Sequence, residues 1–254
     1  MVTPGPSDPL FDVANRTVLL AGAAGGLGAA LAEALAARGA RLVLADLDHK
    51  GAAALAARLP GAGHRAIALD VADEASCAAA AAAGGDLDAL VNCVGVFRTA
   101  PALDMPLDVF ESTLRVNVTG AFVVARAAAK AMLAAGRKGR IVTLASVSSQ
   151  VANPHYAAYA TSKAALAQLT RILALEWAPH GITVNAIGPA MTPTALTEVY
   201  LKKHVNLDYA LSKIPMGRFG TPADIVGAVL LLIAPAGAFI TGQTIYVDGG
   251  RTLV

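Results

Sequence analysis

Short apolar runs alternate with longer helix-patterned stretches from one end of the chain to the other. Thr17–Ala21, Arg41–Ala45, Ala66–Leu69, Leu87–Val91, Ile141–Ala145, Ile182–Ala186 and Thr244–Val247 read as strands. Leu27–Arg38, Asp48–Leu59, Glu74–Ala83, a long region from about Pro106 to Ala135, Tyr156–Ala178 and Pro222–Ile233 read as helices. Such alternation predicts an α/β fold, a parallel sheet with helices on both faces. The strands are continuous Val/Ile/Leu/Ala runs, as expected where both faces are covered. No Ser/Gly-rich linker interrupts the series, so one domain is predicted over 14–254, behind a Pro-rich tail over 1–13. The irregular stretch 190–218, between the sixth strand and its helix, has the length of a lid or binding loop.

Composition narrows the classes. A 56% hydrophobic and 15% charged chain of 254 residues indicates a large buried core. A net charge of +2, with no Lys/Arg cluster, argues against nucleic acid as a partner. Cys77 and Cys93 form neither a disulfide framework nor a metal-ligand spacing, so no metal and a reducing, cytoplasmic setting are expected. The N-terminal tail lacks the basic-then-apolar order of a signal peptide. Ile225–Val247 is uncharged and long enough to span a bilayer, but Gly227, Pro235, Gly237 and Thr241-Gly-Gln-Thr244 break it. A buried helix followed by a strand, and no membrane segment, is the reading.

The candidate chemistry lies between Ser146 and Lys163. Tyr159 and Lys163 stand four apart and share one helical face. A free phenol titrates near 10, too high for a base at neutral pH. A lysine ammonium one turn away favours the phenolate, and a bound nicotinamide cation would add to that. A serine from the adjacent strand end could hydrogen-bond the substrate oxygen while the tyrosine moves its proton. Tyr-x-x-x-Lys alone is as well explained by an ordinary surface pair; Ser146, thirteen residues before Tyr159, changes that.

After the first strand comes Ala21-Gly-Ala-Ala-Gly-Gly-Leu-Gly28, a turn in which a pyrophosphate could approach the backbone and rest on a helix N-terminus. Asp46 ends the second strand, where a carboxylate can accept both ribose hydroxyls and would repel a 2′-phosphate; a plain turn residue is the other reading. Together with the Ser146, Tyr159 and Lys163 pattern, this chain resembles the short-chain dehydrogenase/reductase family over about residues 14–250, closest in feel to gluconate 5-dehydrogenase-like and polyol dehydrogenase members. Gly22, Gly26 and Gly28, with Leu27, match the family's glycine loop, with Ala21 in place of threonine. Asp70-Val71, Asn92-Cys-Val-Gly95, Asn117, and Asn185-Ala-Ile-Gly-Pro189-Ala190 match further motifs; Cys93, Val94 and Ala190 depart from them.

The resemblance implies a Rossmann-type, doubly wound, seven-stranded parallel sheet. It also implies a Ser146–Tyr159–Lys163 catalytic set, with Asn117 holding a water that links the lysine to solvent; a buried amide satisfied by backbone is the alternative for Asn117. Cofactor contacts are implied at Gly22, Gly26, Leu27, Gly28, Asp46, Asp70, Val71, Asn92, Gly95, Tyr159, Lys163, Pro189 and Thr194, with Thr192 the runner-up for the carboxamide. NAD is expected over NADP because of Asp46.

The residues expected to face substrate are Ser148, Gln150, His155, Tyr156 and Met191, with Arg98 offering a guanidinium to a carboxylate or to sugar hydroxyls; Arg98 capping its loop at the surface is the other reading. The function expected is interconversion of a secondary alcohol and a carbonyl on a small hydroxylated molecule: polyol, sugar or sugar acid. A 3-oxoacyl thioester reductase and a non-catalytic dinucleotide-binding member are the alternatives. A homotetramer is expected from the resemblance, and from apolar residues (Leu166, Leu169, Leu173, Trp177, Phe110, Leu114, Phe122, Val123 and the tail to Val254) that exceed what one sheet face needs.

Overall fold

In the computed structural model, which describes residues 8–194 and 207–254, seven strands form one parallel sheet. They are β1 (Thr17–Ala21), β2 (Arg41–Asp46), β3 (Arg65–Ala68), β4 (Ala89–Asn92), β5 (Arg140–Leu144), β6 (Thr183–Pro189) and β7 (Thr244–Val247), in the spatial order 3-2-1-4-5-6-7. Chain order reverses between β1 and β4, and there the carboxyl ends of the strands open a crevice. The expected strands and helices appear within about three residues of the expected ends.

Local chemistry starts and stops the helices. Asp48 caps α2 (His49–Arg58) by accepting from Gly51 N, and Asp73 caps α3 (Glu74–Ala82) by accepting from Ala75 N. The last helix, α8 (Pro222–Ile233), has proline in its first turn and a Thr221/Asp224 capping box. The Gly-rich loop leads into α1 (Gly26–Ala36).

Two apolar layers enclose the sheet. One joins Leu31 and Leu35 of α1, Leu55 of α2 and Ile225 and Val229 of α8 to Leu20, Leu44 and Val142. The other joins Cys77 of α3, Val124 and Met132 of α5 (Ala121–Ala134) and Leu173 of α6 (Ala157–Trp177) to Leu19, Leu90 and Ile141. Both faces of the central strands are therefore dry, which is why their sequences do not alternate.

One helix among the described residues, Leu107–Ala134, is long and apolar enough to span a bilayer; half of its most apolar window is buried in this core. It is α4 (Leu107–Leu114) and α5 joined by a π-helical turn, Arg115–Gly120, that contains Asn117. Ile225–Val247 forms α8, a 3-10 turn and β7, as its glycine and proline breaks predict. Of the predicted tail 1–13, residues 1–7 lie outside the described residues, and Pro9–Phe11 form a 3-10 turn. Of the predicted lid, 195–206 lie outside them too; α7 (Leu207–Ser212) follows.

Candidate active site

The strand ends and the loops beyond them wall a cleft of about 580 Å³. Its floor is the Gly-rich loop. Gly22 has φ +78°, and a methyl on it would stand 2.9 Å from Val94 N. A methyl on Gly28 would lie 2.0 Å from the Gly22 carbonyl oxygen, so no side chain fits there. Thr194 lies over Gly26, where a methyl would come within 2.7 Å of the threonine Cβ. Gly22, Gly26, Leu27, Gly28, Gly95, Pro189, Thr192 and Thr194 all line the cleft.

Asp46 stands outside that lining but holds its floor. Its Oδ2 accepts from Ala24 N at 2.9 Å and its Oδ1 from Asp48 N at 2.9 Å. Each carboxylate oxygen takes two hydrogen bonds, so the ends facing a ribose remain able to accept. Asp70, Val71 and Asn92 also lie outside the lining. Asp70 closes its own turn by accepting from Ala72 N, and Val71 packs where Gly120 leaves room. Asn92 accepts from Val94 N while its buried Nδ2 has no partner.

At the other wall, the end of β5 delivers Ser146 and the first two turns of α6 deliver Tyr159 and Lys163; all three line the cleft. Ser146 Oγ caps a 3-10 turn by accepting from Ser148 N at 3.1 Å, and Ser149 is pinned to Tyr246 at 2.8 Å. The Ser146 hydroxyl and the phenol of Tyr159 share the same cleft wall. Phe97 packs edge-on against both Tyr159, at 4.8 Å between ring centres, and Tyr156, at 5.1 Å, fixing the phenol's plane. Burial pushes the Tyr159 phenol up, and the neighbouring Ser146 hydroxyl holds it down only in part.

Lys163 is buried, and its ammonium donates to the Leu144 carbonyl at 2.7 Å. Desolvation brings it down to about 8, opposed by the neighbouring Cys93. The expectation that the lysine by itself draws the phenol down is corrected here. Its own charge is costly where it sits, and its Nζ lies 5.7 Å from the centre of the tyrosine ring.

Asn117 is a buried amide satisfied by its neighbours, as the alternative reading has it. Its Oδ1 accepts from Val96 N at 2.8 Å, and its Nδ2 donates to the Val96 carbonyl at 3.0 Å and to Ser162 Oγ at 2.9 Å. The side chain straps the segment after β4 to the catalytic helix. Gly95 lies between: a methyl there would be 3.4 Å from both Asn117 Oδ1 and Lys163 Nζ.

Of the residues expected to face substrate, Ser148, His155, Tyr156 and Met191 line the cleft. His155 is held at φ +71°, an uncommon conformation for a residue with a side chain, and its carbonyl accepts from Ala100 N at 3.1 Å. Arg98 and Gln150 do not line it. Arg98 is exposed and donates to Ser112 Oγ, because the chain after Phe97 has already left the cleft; Gln150 is exposed at the end of its 3-10 turn. Sequence reasoning missed Asn153, Lys213 and Arg251, which do line it. The available signal for Arg251 was its place directly after the Gly249-Gly250 turn, at the carboxyl end of a sheet strand.

A family model described as enoyl-(acyl carrier protein) reductase matches residues 22–252. The D-threitol dehydrogenase of Mycolicibacterium smegmatis is 42% identical, over 96% of this chain and 95% of that protein. The chain is a short-chain dehydrogenase/reductase. An NAD-dependent glycerol dehydrogenase of Listeria innocua is 33% identical over 97% of each chain. Among solved structures, a gluconate 5-dehydrogenase from Burkholderia cenocepacia in complex with NADP and tartrate superposes with a TM-score of 0.90 at 34% identity, covering 97% of this chain and 98% of that one. This member of the family is thus an oxidoreductase that interconverts a secondary alcohol and a carbonyl on a small molecule and uses a nicotinamide dinucleotide. The residues present fit that cofactor: Gly22, Gly25, Gly26 and Gly28 line the cleft at the start of α1, so no side chain of theirs stands between the loop backbone and a pyrophosphate.

Proposed function

We propose that the protein is an NAD-dependent dehydrogenase of a small hydroxylated substrate (polyol, sugar or sugar acid), with Tyr159 as the acid/base. The observation that carries this reading is that Ser146, Tyr159 and Lys163 line one cleft together with the glycine loop. The cofactor, when bound, supplies the hydride acceptor. Tyr159 as phenolate takes the hydroxyl proton, and Ser146 donates to the substrate oxygen, so that oxygen is held against the base. Lys163 keeps a positive charge beside them and fixes the Leu144 carbonyl.

Asp46, at the end of β2, favours NAD over NADP by charge repulsion of a 2′-phosphate; the named relatives include users of each. The domain is taken as 14–254, and 190–218, of which 195–206 lie outside the described residues, is proposed as a substrate lid or binding loop. A cytoplasmic homotetramer is the assembly we infer, supported by exposed Leu175 and Ile172 on α6, by Leu107 and Leu133 on the long helix, and by Leu253 and Val254. The deciding experiment is a screen of polyols, sugars and sugar acids with NAD and NADP, read by absorbance of the reduced cofactor, with Tyr159→Phe as the control. Turnover of at least one such alcohol, lost in the variant, is expected; activity surviving in Tyr159→Phe would overturn the assignment.

A further inference from the structure

The cleft is charged on one side only. Among the described residues no aspartate or glutamate lines it, while Lys163, Lys213 and Arg251 all do. Lys163 belongs to the catalytic helix, which leaves Lys213 and Arg251 unused by the reaction described above.

The two belong to one wall. Met216 N donates to the Gly249 carbonyl at 3.0 Å, and a methyl on Gly250 would lie 3.0 Å from Pro215 Cγ, so 213–216 runs against 249–251. Arg251 Nη2 reaches Asn153 Oδ1 at 3.5 Å, and Nη1 donates to the Val254 oxygen at 2.9 Å. Those bonds use two of the five donors of a guanidinium. Asn153 opens the loop that runs through His155 and Tyr156 into the catalytic helix, so Arg251 stands on the substrate side of Tyr159 rather than at the glycine loop. Lys213 Nζ lies 5.1 Å from the centre of the Tyr209 ring, and no carboxylate pairs with it among the described residues.

Two cations facing a cleft whose described lining holds no aspartate or glutamate gain most from an anionic ligand. A neutral polyol offers them only weak acceptors, whereas a carboxylate or phosphate accepts charge-assisted, bidentate hydrogen bonds from the arginine. We infer that Lys213 and Arg251 form an anion subsite, so that the preferred substrate is a hydroxylated chain ending in an anionic group, not a neutral polyol. This rests on the dehydrogenase reading above. It also replaces Arg98, which lies outside the cleft, as the source of the guanidinium.

The test compares matched substrates that differ only at one end: glycerate, threonate and gluconate against glycerol, threitol and glucitol, and glycerol 3-phosphate and glucitol 6-phosphate as the phosphate arm. The expected result is at least a tenfold higher kcat/KM for one acid or phosphate ester than for its neutral partner, and the better arm identifies the anion. Arg251→Gln and Lys213→Gln should each raise KM for that substrate about tenfold while kcat changes less, so the ratio of anionic to neutral turnover falls. Neutral polyols turned over as well as their anionic partners, with activity still abolished by Tyr159→Phe, would overturn this inference and leave the dehydrogenase reading standing. Calorimetry of the same compounds with the enzyme–NADH complex gives a readout independent of turnover. Binding of an anionic compound that both variants weaken supports the subsite; no anionic compound bound more tightly than its neutral partner overturns it.

Discussion

Lys163 Nζ stands 5.7 Å from the centre of the Tyr159 ring and donates its 2.7 Å hydrogen bond to the Leu144 carbonyl, not to the phenol. The phenol is raised by burial and lowered only by Ser146. In the unliganded protein Tyr159 should therefore titrate above the ordinary phenol value. A nicotinamide cation in the same cleft is then the group that brings it down. Ultraviolet difference titration of wild type against Tyr159→Phe, without and with NAD, should show the tyrosine step move to lower pH on binding. Because the base works as phenolate, the oxidation rate should rise with pH through that lowered value. A phenol already ionising near neutrality without cofactor would refute the account.

The same lysine predicts a stability change of definite sign. Its folded value, about 8, lies below the 10.5 of a free lysine. Between those values the unfolded chain holds more protons, so stability rises with pH there; the cost of the buried charge is fully present below about 8. Lys163→Met should then stabilise the protein at pH 7 by roughly 1–2 kcal/mol, after allowing for the lost bond to Leu144. The gain should shrink as pH approaches 10, and activity should collapse. Urea unfolding at pH 7 and pH 10 measures both; a variant less stable than wild type at pH 7 would contradict it.

How far the sequence could go is visible in these two residues. Spacing placed Tyr159 and Lys163 on one helical face, and the strand-end position of Ser146 put it beside them, because both follow from local periodicity. The central strands were readable because a run dry on both faces has one composition; the partly exposed edge strands β3 and β7 were read from their place in the alternation. Charge energetics were not readable. Whether a lysine pulls a phenol down depends on where its N–H points, and Leu144 took it. Nor could pattern alone place long side chains near loops. Arg98 and Arg251 both follow sheet strands, yet one ends on Ser112 at the surface and the other beside Asn153 in the cleft. The oligomer argument picked the wrong residues of α6: Leu166 and Leu173 are buried within the subunit, Leu169 and Trp177 pack against its core, and the exposed apolar residues of α6 are Ile172 and Leu175.

Asn117→Ala separates a strap from a proton path. Truncation leaves Val96 N, the Val96 carbonyl and Ser162 without their present partner. Stability should fall by about 2–4 kcal/mol, and the dissociation constant for NAD should rise, since Gly95 and Phe97 flank Val96 in the cleft. Fluorescence-monitored unfolding and cofactor titration test this. Loss of kcat with unchanged stability and cofactor affinity would restore the proton-relay reading.

Asp46 serves the loop through Ala24 N and, on our reading, the ribose through its remaining lone pairs. Asp46→Ala should weaken NAD more than tenfold and narrow or invert the gap to NADP by relieving repulsion. Kd values from quenching of protein fluorescence decide it. A wild-type preference for NADP of tenfold, about 1.4 kcal/mol in the wrong direction, would sink the assignment.

Assembly is the last consequence. Leu175 is 76% exposed on α6, and Leu107 is 69% exposed at the start of the long helix; both are large apolar side chains left in water by a single subunit. Leu253 and Val254 add a further apolar patch at the end of the chain beyond the edge strand β7. If each patch pairs with its own copy about a two-fold axis, patches on distinct elements would close into a dihedral tetramer without leaving an open face. Light scattering at micromolar concentration should give four subunits. Leu175→Glu, which places a charge on the α6 patch alone, should give dimers that retain the terminal contact. A wild-type monomer would refute the assembly, and a tetramer untouched by Leu175→Glu would remove α6 from its interface.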